Sequence, residues 1–510
     1  MRTVARPFAG TASISPDRYR WVPIGLILLL AAGLYLYGLG TESLWIDELI
    51  SIDRAKAHNL ELLRVRPLSY FLLHVWMWFG TGDAWLRGQN VLFSLGTILL
   101  TYHLAQRLVG RTVALTSALI LALSPLAIHH AQEVRMYTPS IFFGVLGSLV
   151  FVQALEKPKL VWIGAWSIAR WLAILTTPLN LLLLLPDTVL FAWTMRSRPK
   201  VLYRFAGGLL FIGVLWLPWL ITVASASARF MGGVEVAGAA AGEVTAGEES
   251  PGFLAVLFQM GRFTAWPFGR PNSNAIYSFY QIYSVLMAGV LAFTMLTKRW
   301  RTSRLPWITA WAILPLVPIF LVSQISRSLW VDRYLVFTAP YFFILLAAGM
   351  VEIWRRQRWG AIALILVYLI AISGGIKRYY TVLDRKDWRG LVATISQNEE
   401  PGDLIVWSMN QSIPRALNHY YQGSADIEII KGGHTATASE EAVIVSQASE
   451  RTAAANWLAQ LPDTRSRIWL AYSETSPVFL SVLEQQFEIE KHRNFDDSLQ
   501  IFLLRPRSFD

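Results

Sequence analysis

Apolar residues fall in long uninterrupted blocks from residue 21 to about 376 and in short, alternating ones after it. Blocks long enough to cross a bilayer as a helix, about 17 to 25 residues, occupy 21–40, 85–106, 112–130, 137–155, 160–177 and 178–195. Five more follow at 202–224, 275–297, 305–325, 333–354 and 359–376. The pattern predicts a polytopic α-helical membrane protein of about eleven transmembrane helices. The segment from Leu68 to Gly80 is only thirteen residues long and reads as an interfacial or re-entrant helix. Beyond 376 the alternation predicts a soluble α/β domain over 377–510, with strands at Asp403–Trp407, Asp426–Ile430, Arg467–Tyr472 and Leu499–Leu504. The stretch Glu440–Leu461 has helical periodicity. Residues 231–251 are rich in Gly, Ala and Glu and are expected to be mobile, since such a composition buries too little apolar surface to order itself. The chain shows no internal repeat.

Composition agrees with the pattern. Of the 510 residues 54% are hydrophobic and 15% charged, against about 25% charged in soluble domains. The net charge of +11 sits in short clusters between apolar blocks, an arrangement that argues against nucleic acid as a partner and for a topology set by positive charge. The block Trp21–Gly40 is too long for a signal-peptide core and serves as the first span. With Leu68–Gly80 left out of the count, the N-terminal arginines and the clusters at 107–111, 157–159, 196–200, 298–304 and 355–358 all face the cytoplasm. The loop 41–84, the turn 131–136, the loop 226–274 and the domain after 377 then lie on the outer face. With no Cys in the chain, disulfides and thiolate metal sites are excluded.

The candidate chemistry gathers on that outer face. Asp47 and Glu48 follow Trp45 just past the first span, and Gln132-Glu133-Val134-Arg135-Met136-Tyr137 fills a tight turn between two spans. Ionisable groups at a membrane boundary more often line a polar cavity than face lipid. Arg66-Pro67 opens the interfacial helix, and Arg327 with Asp332-Arg333-Tyr334 stands at the outer end of the tenth span. Arginine suits phosphate because its planar fork donates several charge-assisted hydrogen bonds, although a lipid headgroup would satisfy it equally. His129 and His130, beside Glu133, have the chemistry of metal ligands, but no third well-spaced partner is evident in the sequence. The outer domain carries no Gly-rich phosphate motif and is assigned no chemistry.

The order of a Trp-x-Asp-Glu loop, an Arg-Pro-Leu opening, a Gln-Glu-x-Arg-Met-Tyr turn and a late Arg-Tyr-Leu resembles bacterial glycosyltransferases related to protein O-mannosyltransferases and lipid A aminoarabinose transferases, the GT-C fold enzymes. The resemblance covers roughly the first 380 residues and is most specific between 43 and 140. It implies a bacterial inner-membrane enzyme that moves a sugar from a polyprenyl-phosphate-linked donor to a hydroxyl acceptor, which is lipid, polysaccharide or protein. Asp47 would be the catalytic carboxylate, supported by Glu48, with Glu133 at the second acidic position. Arg66 and Arg333 match positions that meet the lipid phosphate, and Arg135 is a third candidate. Trp45, Gln132, Tyr137 and Tyr334, which flank these charges, are the expected substrate contacts. One departure stands out, because this chain has Thr176-Thr177-Pro178 where many relatives have Thr-His. Asp47 would act as base and the displacement would invert the anomeric carbon. A divalent cation beside Asp47 and Glu133 is compatible with their oxygen ligands and is not required. The competing readings are a multi-pass lipid or sugar transporter or flippase, an oligosaccharide ligase using a pyrophosphate-linked donor, and an inactive scaffold of the same fold.

Overall fold

A computed structural model describes residues 21–56, 66–231, 250–265, 273–325, 328–382, 385–408, 414–429, 467–473, 478–496 and 499–507, with 452, 456 and 458. Arg327, nearly all of 231–251 and most of the expected helix at 440–461 lie outside these residues.

The first apolar block forms α1 (Val22–Leu36), and two short helices follow it, α2 (Ile46–Lys56) and α3 (Pro67–Met77). The long α4 (Asp83–Leu108) comes next. The block at 112–130 is broken into α5 (Arg111–Leu123) and α6 (Pro125–Ala131), bent by 63°. The break is written locally: Ser124 caps α6 by accepting from Ala127 N, and Pro125 occupies the first turn, where its missing N–H is not needed. α7 (Tyr137–Glu156) and α8 (Leu160–Thr176) follow, then a 3₁₀ turn at Pro178–Leu183 that leads into α9 (Leu184–Met195). The remaining membrane part comprises α10 (Pro199–Met231), α11 (Phe253–Thr264), α12 (Asn274–Leu296), α13 (Lys298–Thr302), α14 (Leu305–Ile313), α15 (Leu316–Ile325), α16 (Asp332–Leu335), α17 (Ala339–Arg356) and α18 (Arg358–Thr381).

Among the described residues seven helical segments are long and apolar enough to cross a membrane, or eight if the bent α5–α6 pair is one span. The protein is therefore a multi-pass membrane protein. The difference from eleven has a physical cause. α1 and α8 are apolar but only 15 and 17 residues long, while α4 has 26 residues and buries Arg87, Gln89, Asn90, Ser94, Thr97 and Thr101. A helix enclosed by protein has no need of an apolar surface. α17 is the most enclosed, lying against α5, α12, α14 and α18.

A saturated charge network lies among these helices. Arg170 on α8 donates from Nε and Nη2 to both carboxylate oxygens of Asp187 on α9, at 2.6 and 3.0 Å, and to Gly144 O and Ser148 Oγ on α7 at 2.7 and 2.8 Å. Asp187 also accepts from the indoles of Trp166 and Trp311, each at 2.7 Å. Gly147 permits the approach, since a Cβ there would lie 2.8 Å from an Arg170 guanidinium nitrogen.

The C-terminal part, named the outer domain for the side to which the charge pattern would assign it, begins with α19 (Trp388–Asn398) and contains β1 (Leu404–Ser408), α20 (Arg415–Tyr420), β2 (Asp426–Ile429), β3 (Ile468–Ser473), α21 (Val478–Leu483), β4 (Phe487–Asp496) and β5 (Leu499–Pro506). The strands form one sheet in the order β2-β1-β3-β5-β4, parallel at β2/β1/β3 and antiparallel at β3/β5/β4. Four of these strands match the expected ones within two residues. β4 was not expected, because its sequence FEIEKHRNFD is charged and lies exposed at the sheet edge, where charge discourages pairing with another chain. One face of the sheet shares a core with the outer loop: Trp388, Leu391, Ile405 and Trp407 pack with Leu44, Leu49, Ile52 and Val134.

Asp187→Leu alone is expected to lower the unfolding free energy by about 3–5 kcal/mol, because it strands a buried guanidinium, whereas Arg170→Met with Asp187→Leu should recover much of the loss. Denaturant unfolding of the detergent-solubilised protein measures both.

Candidate active site

The loop after α1 is organised by Glu48, which is wholly buried in the first turn of α2. Its Oε2 reaches back to Trp45 N at 3.1 Å, as the acidic residue of a capping box does. Arg87 from α4 meets both oxygens, Nε to Oε1 at 2.9 Å and Nη2 to Oε2 at 2.8 Å. Val134 N, in the turn between α6 and α7, donates to Oε1 at 2.8 Å, and Arg385, at the entry to the outer domain, reaches Oε2 at 3.3 Å. Arg87 spends its other donors on the carbonyls of Leu39, Glu42 and Ser43 at 2.9, 2.9 and 3.0 Å. One buried carboxylate and one buried guanidinium thus gather the α1–α2 link, α4, the 132–136 turn and the outer domain.

Asp47 is bound quite differently. It is 5% exposed, and its Oδ2 stands 3.5 Å from Arg135 Nη2, a longer contact than any at Glu48. Arg135 itself is fixed by donating to Asp47 O at 3.0 Å and Ser51 Oγ at 3.2 Å. Asn90 of α4 holds the turn from the other side, with its amide on the carbonyls of Glu133 and Arg135. A water-sized cavity lined by Ser51, Tyr70, Asn90, Arg135 and Pro139 opens beside Arg135.

The other expected residues have these settings. Arg66 precedes Pro67 at the start of α3 and is buried. Arg135 lies over the Tyr137 ring at 5.9 Å, and the charges of Arg135, Arg333 and Arg66 all act on the Tyr137 hydroxyl through space. Arg333 lies over the Tyr334 ring at 5.4 Å. The neighbouring Asp332 ties this segment to α11 through Gln259 and Arg262, at 3.1 and 3.4 Å. α3 is braced by Arg54 on the Tyr70 hydroxyl at 3.1 Å, by His74 Nδ1 on Ala55 O at 2.7 Å and by Ser69 Oγ on Thr176 O at 3.3 Å. The Thr177-Pro178 break therefore adjoins α3, and Asn180 after it is engaged with Ser140 and Ala173 O, each at 2.8 Å.

Two expected site residues are occupied in other ways. The Gln132 amide donates to the carbonyls of Tyr35 and Tyr37 at 2.9 and 2.8 Å and its oxygen accepts from the Tyr379 hydroxyl at 2.9 Å, which makes it a clamp between α1, α6 and α18. Glu133 turns its carboxylate to His130 Nδ1 at 3.1 Å and His129 Nε2 at 3.7 Å. Burial opposes its ionisation, but the hydrogen bond from His130 and the charges of His129, His130 and Arg135 prevail and hold the carboxyl down to about 2. Arg87, Asn90 and Arg385 had no local motif to reveal them. Arg87 did carry one signal, a charge just inside an apolar block.

The outer domain docks on this site through polar contacts. Tyr420 OH donates to Asp83 Oδ2 at 2.8 Å and accepts from Leu44 N at 2.8 Å, while Arg389 reaches Asp83 at 3.2 Å and the carbonyls of Gly40 and Thr41 at 3.1 and 2.7 Å. Asp387 caps α19 at Gly390 N and also accepts from Ser43 Oγ, at 2.9 and 3.0 Å.

No protein-family model matches the chain. An uncharacterized protein of Aquifex aeolicus (strain VF5) is 31% identical over 206 residues, 36% of this chain and 40% of that protein. A Bacillus subtilis (strain 168) protein named "Putative mannosyltransferase YycA" is 26% identical over 224 residues, 40% of this chain and 32% of that protein. The chain thus spans less than half the length of either relative. Among solved structures, ArnT from Cupriavidus metallidurans bound to undecaprenyl phosphate superimposes with a TM-score of 0.59 at 15% identity, over 95% of this chain and 98% of that one. The apo oligosaccharyltransferase of Archaeoglobus fulgidus gives 0.54 at 10% identity, over 97% of this chain and 75% of that one. These likenesses show the fold, a GT-C membrane domain followed by a C-terminal α/β domain.

Burial raises the Asp83 carboxyl, but hydrogen bonds from His419 and Tyr420 and the charge of Arg389 prevail and hold it below the usual range. Its folded value lies below its unfolded one, so its contribution to docking is complete above about pH 4 and is lost as pH falls through the folded value. Hydrogen exchange across 385–398 should show protection that is steady from neutral pH down to mild acid and falls below it. Asp83→Asn should weaken the protection at pH 7 and flatten its acid dependence.

Proposed function

We propose that this chain is a membrane glycosyltransferase that moves a sugar from a polyprenyl-phosphate carrier to a hydroxyl acceptor on the outer face of the membrane, with inversion at the anomeric carbon. The observation that carries this reading is the placement of adjacent carboxylates: Glu48 is held by donors from four segments, and Asp47 is paired with Arg135 at 3.5 Å beside Tyr137, on whose hydroxyl the charges of Arg135, Arg66 and Arg333 act. A carboxylate base beside a cationic cradle is what transfer from a lipid phosphate needs. Asp47 accepts the proton of the attacking hydroxyl, and Arg66, Arg135 and Arg333 stabilise the charge that builds on the departing phosphate. Arginine suits this place because its guanidinium stays charged and meets phosphate through paired N–H groups. Glu48 and Gln132 position the loop and the turn without touching substrate. Glu133, turned to the histidines, takes no proton.

The fold and the cited relatives support the same class. ArnT was solved with undecaprenyl phosphate, and the Bacillus relative is named for mannosyl transfer. The N-terminus is assigned to the cytoplasm and the outer domain to the opposite side, as the positive clusters direct. Trp45, Tyr137 and Tyr334 are assigned to substrate contact, and the outer domain, which touches the acidic loop, to shaping the acceptor side. A transporter would need ionisable groups open to cargo near the midplane. The pair deep in the helices, Arg170 with Asp187, is instead saturated by its neighbours.

Purified protein in lipid, given a panel of polyprenyl-phosphate sugars and envelope extract, should release the carrier phosphate and glycosylate an acceptor with inverted configuration. Folded Asp47→Asn should lose about 100-fold to 10,000-fold in kcat. Full turnover in Asp47→Asn would remove Asp47 as the base, and retention of configuration would refute single displacement.

A further inference from the structure

The end of α6 holds a cluster that the proposed transfer leaves unused. His129 and His130 close the helix, and Glu133 follows four and three residues later in the turn. Glu133 Oε2 lies 3.1 Å from His130 Nδ1 and 3.7 Å from His129 Nε2, and one ligand atom from each of the three fits within 4.8 Å. Two ligands held about 2.0–2.1 Å from a tetrahedral zinc ion stand about 3.3–3.4 Å apart. The two observed separations bracket that value.

Three further features favour an ion. Glu133 is 1% exposed, and Arg135, which acts on it through space, spends hydrogen bonds on Asp47 and Ser51 instead. A buried carboxylate calls for a cation or a full set of donors, and a metal ion held by both rings would supply one. The rings are also preset. Tyr137 lies against His130 at 4.6 Å and Tyr379 meets His129 edge-on at 6.0 Å. His130 is 3% exposed, and its Nε2 has no hydrogen-bond partner among the described residues, so Glu133 alone fixes its polar orientation. His129 is the partly exposed member, which leaves an open side for entry and for a water ligand.

We infer that His129, His130 and Glu133 form a His₂Glu site for a divalent transition ion of the zinc class, its fourth position open to solvent. Imidazole with one carboxylate suits such an ion, and three protein ligands with one open position is an established zinc arrangement. The ion would fasten the end of α6 to the turn that presents Val134 N to Glu48. Its role is to position that turn. The inference does not rest on the transfer reading, and its readout is metal content rather than turnover.

The test uses the tag-free full chain, stripped with chelator, reloaded with zinc or cobalt and desalted. The expected content is about one ion per chain, with four-coordinate cobalt bands in the visible spectrum and a nitrogen/oxygen shell at about 2.0–2.1 Å by X-ray absorption on the zinc form. Folded His130→Ala and Glu133→Gln should each lose the ion. Wild-type protein that retains no ion, or folded variants that retain it fully, would overturn the assignment. Should the variants fail to fold, the cobalt spectrum of wild type decides, and absence of four-coordinate bands overturns the site.

Discussion

The architecture of the candidate site depends on burying one carboxylate. Taking Glu48 out of water costs several kcal/mol, and only a full set of donors offsets that. Here the donors come from parts of the chain far apart in sequence: Trp45 N, Arg87, Val134 N and Arg385. None can leave without stranding a buried charge, so the first loop, α4, the turn after α6 and the entry to the outer domain are held in mutual register. Arg87 extends the constraint by fastening the carbonyls at the end of the α1–α2 link.

This constraint gives the neighbouring carboxylate its character. Asp47 starts the same helix but its side chain is paired with Arg135 instead of the knot. Two adjacent acids of one loop thereby have separate settings, and the proposal gives Glu48 the positioning task and Asp47 the proton transfer. The outer domain belongs to the same arrangement. It shares an apolar core with the loop and reaches the knot through Arg385, so its docking and the geometry of the site are coupled.

Much of this was legible in the sequence, and the remainder has identifiable causes. Long apolar blocks marked most helices, the thirteen-residue segment gave α3, and alternation gave four strands. Asp47, Arg66, Arg135 and Arg333 were visible as charges at block ends, and the structure pairs Asp47 with Arg135. Span counting ran high because α1 and α8 are short and α4 is polar on faces that other helices cover. The bend at Ser124-Pro125 was written locally, yet it falls inside an apolar block and reads as continuous. Partnership was what sequence could not give. Glu48 and Arg87 are 39 positions apart, and the Arg385 contact spans 337. The cluster of His129, His130 and Glu133 lacked only the geometry that aims both rings at one oxygen.

The most direct test of this account is the transfer kinetics of Glu48→Gln in protein shown to be folded, with Asp47 untouched. Loss of the charge should loosen Arg87 and Arg385 and misplace Asp47, and kcat should fall by about 100-fold, as a displacement of about 1 Å can cause, with little change in donor affinity. A folded Glu48→Gln protein with wild-type kcat would contradict the claim that this buried carboxylate sets the geometry of the site.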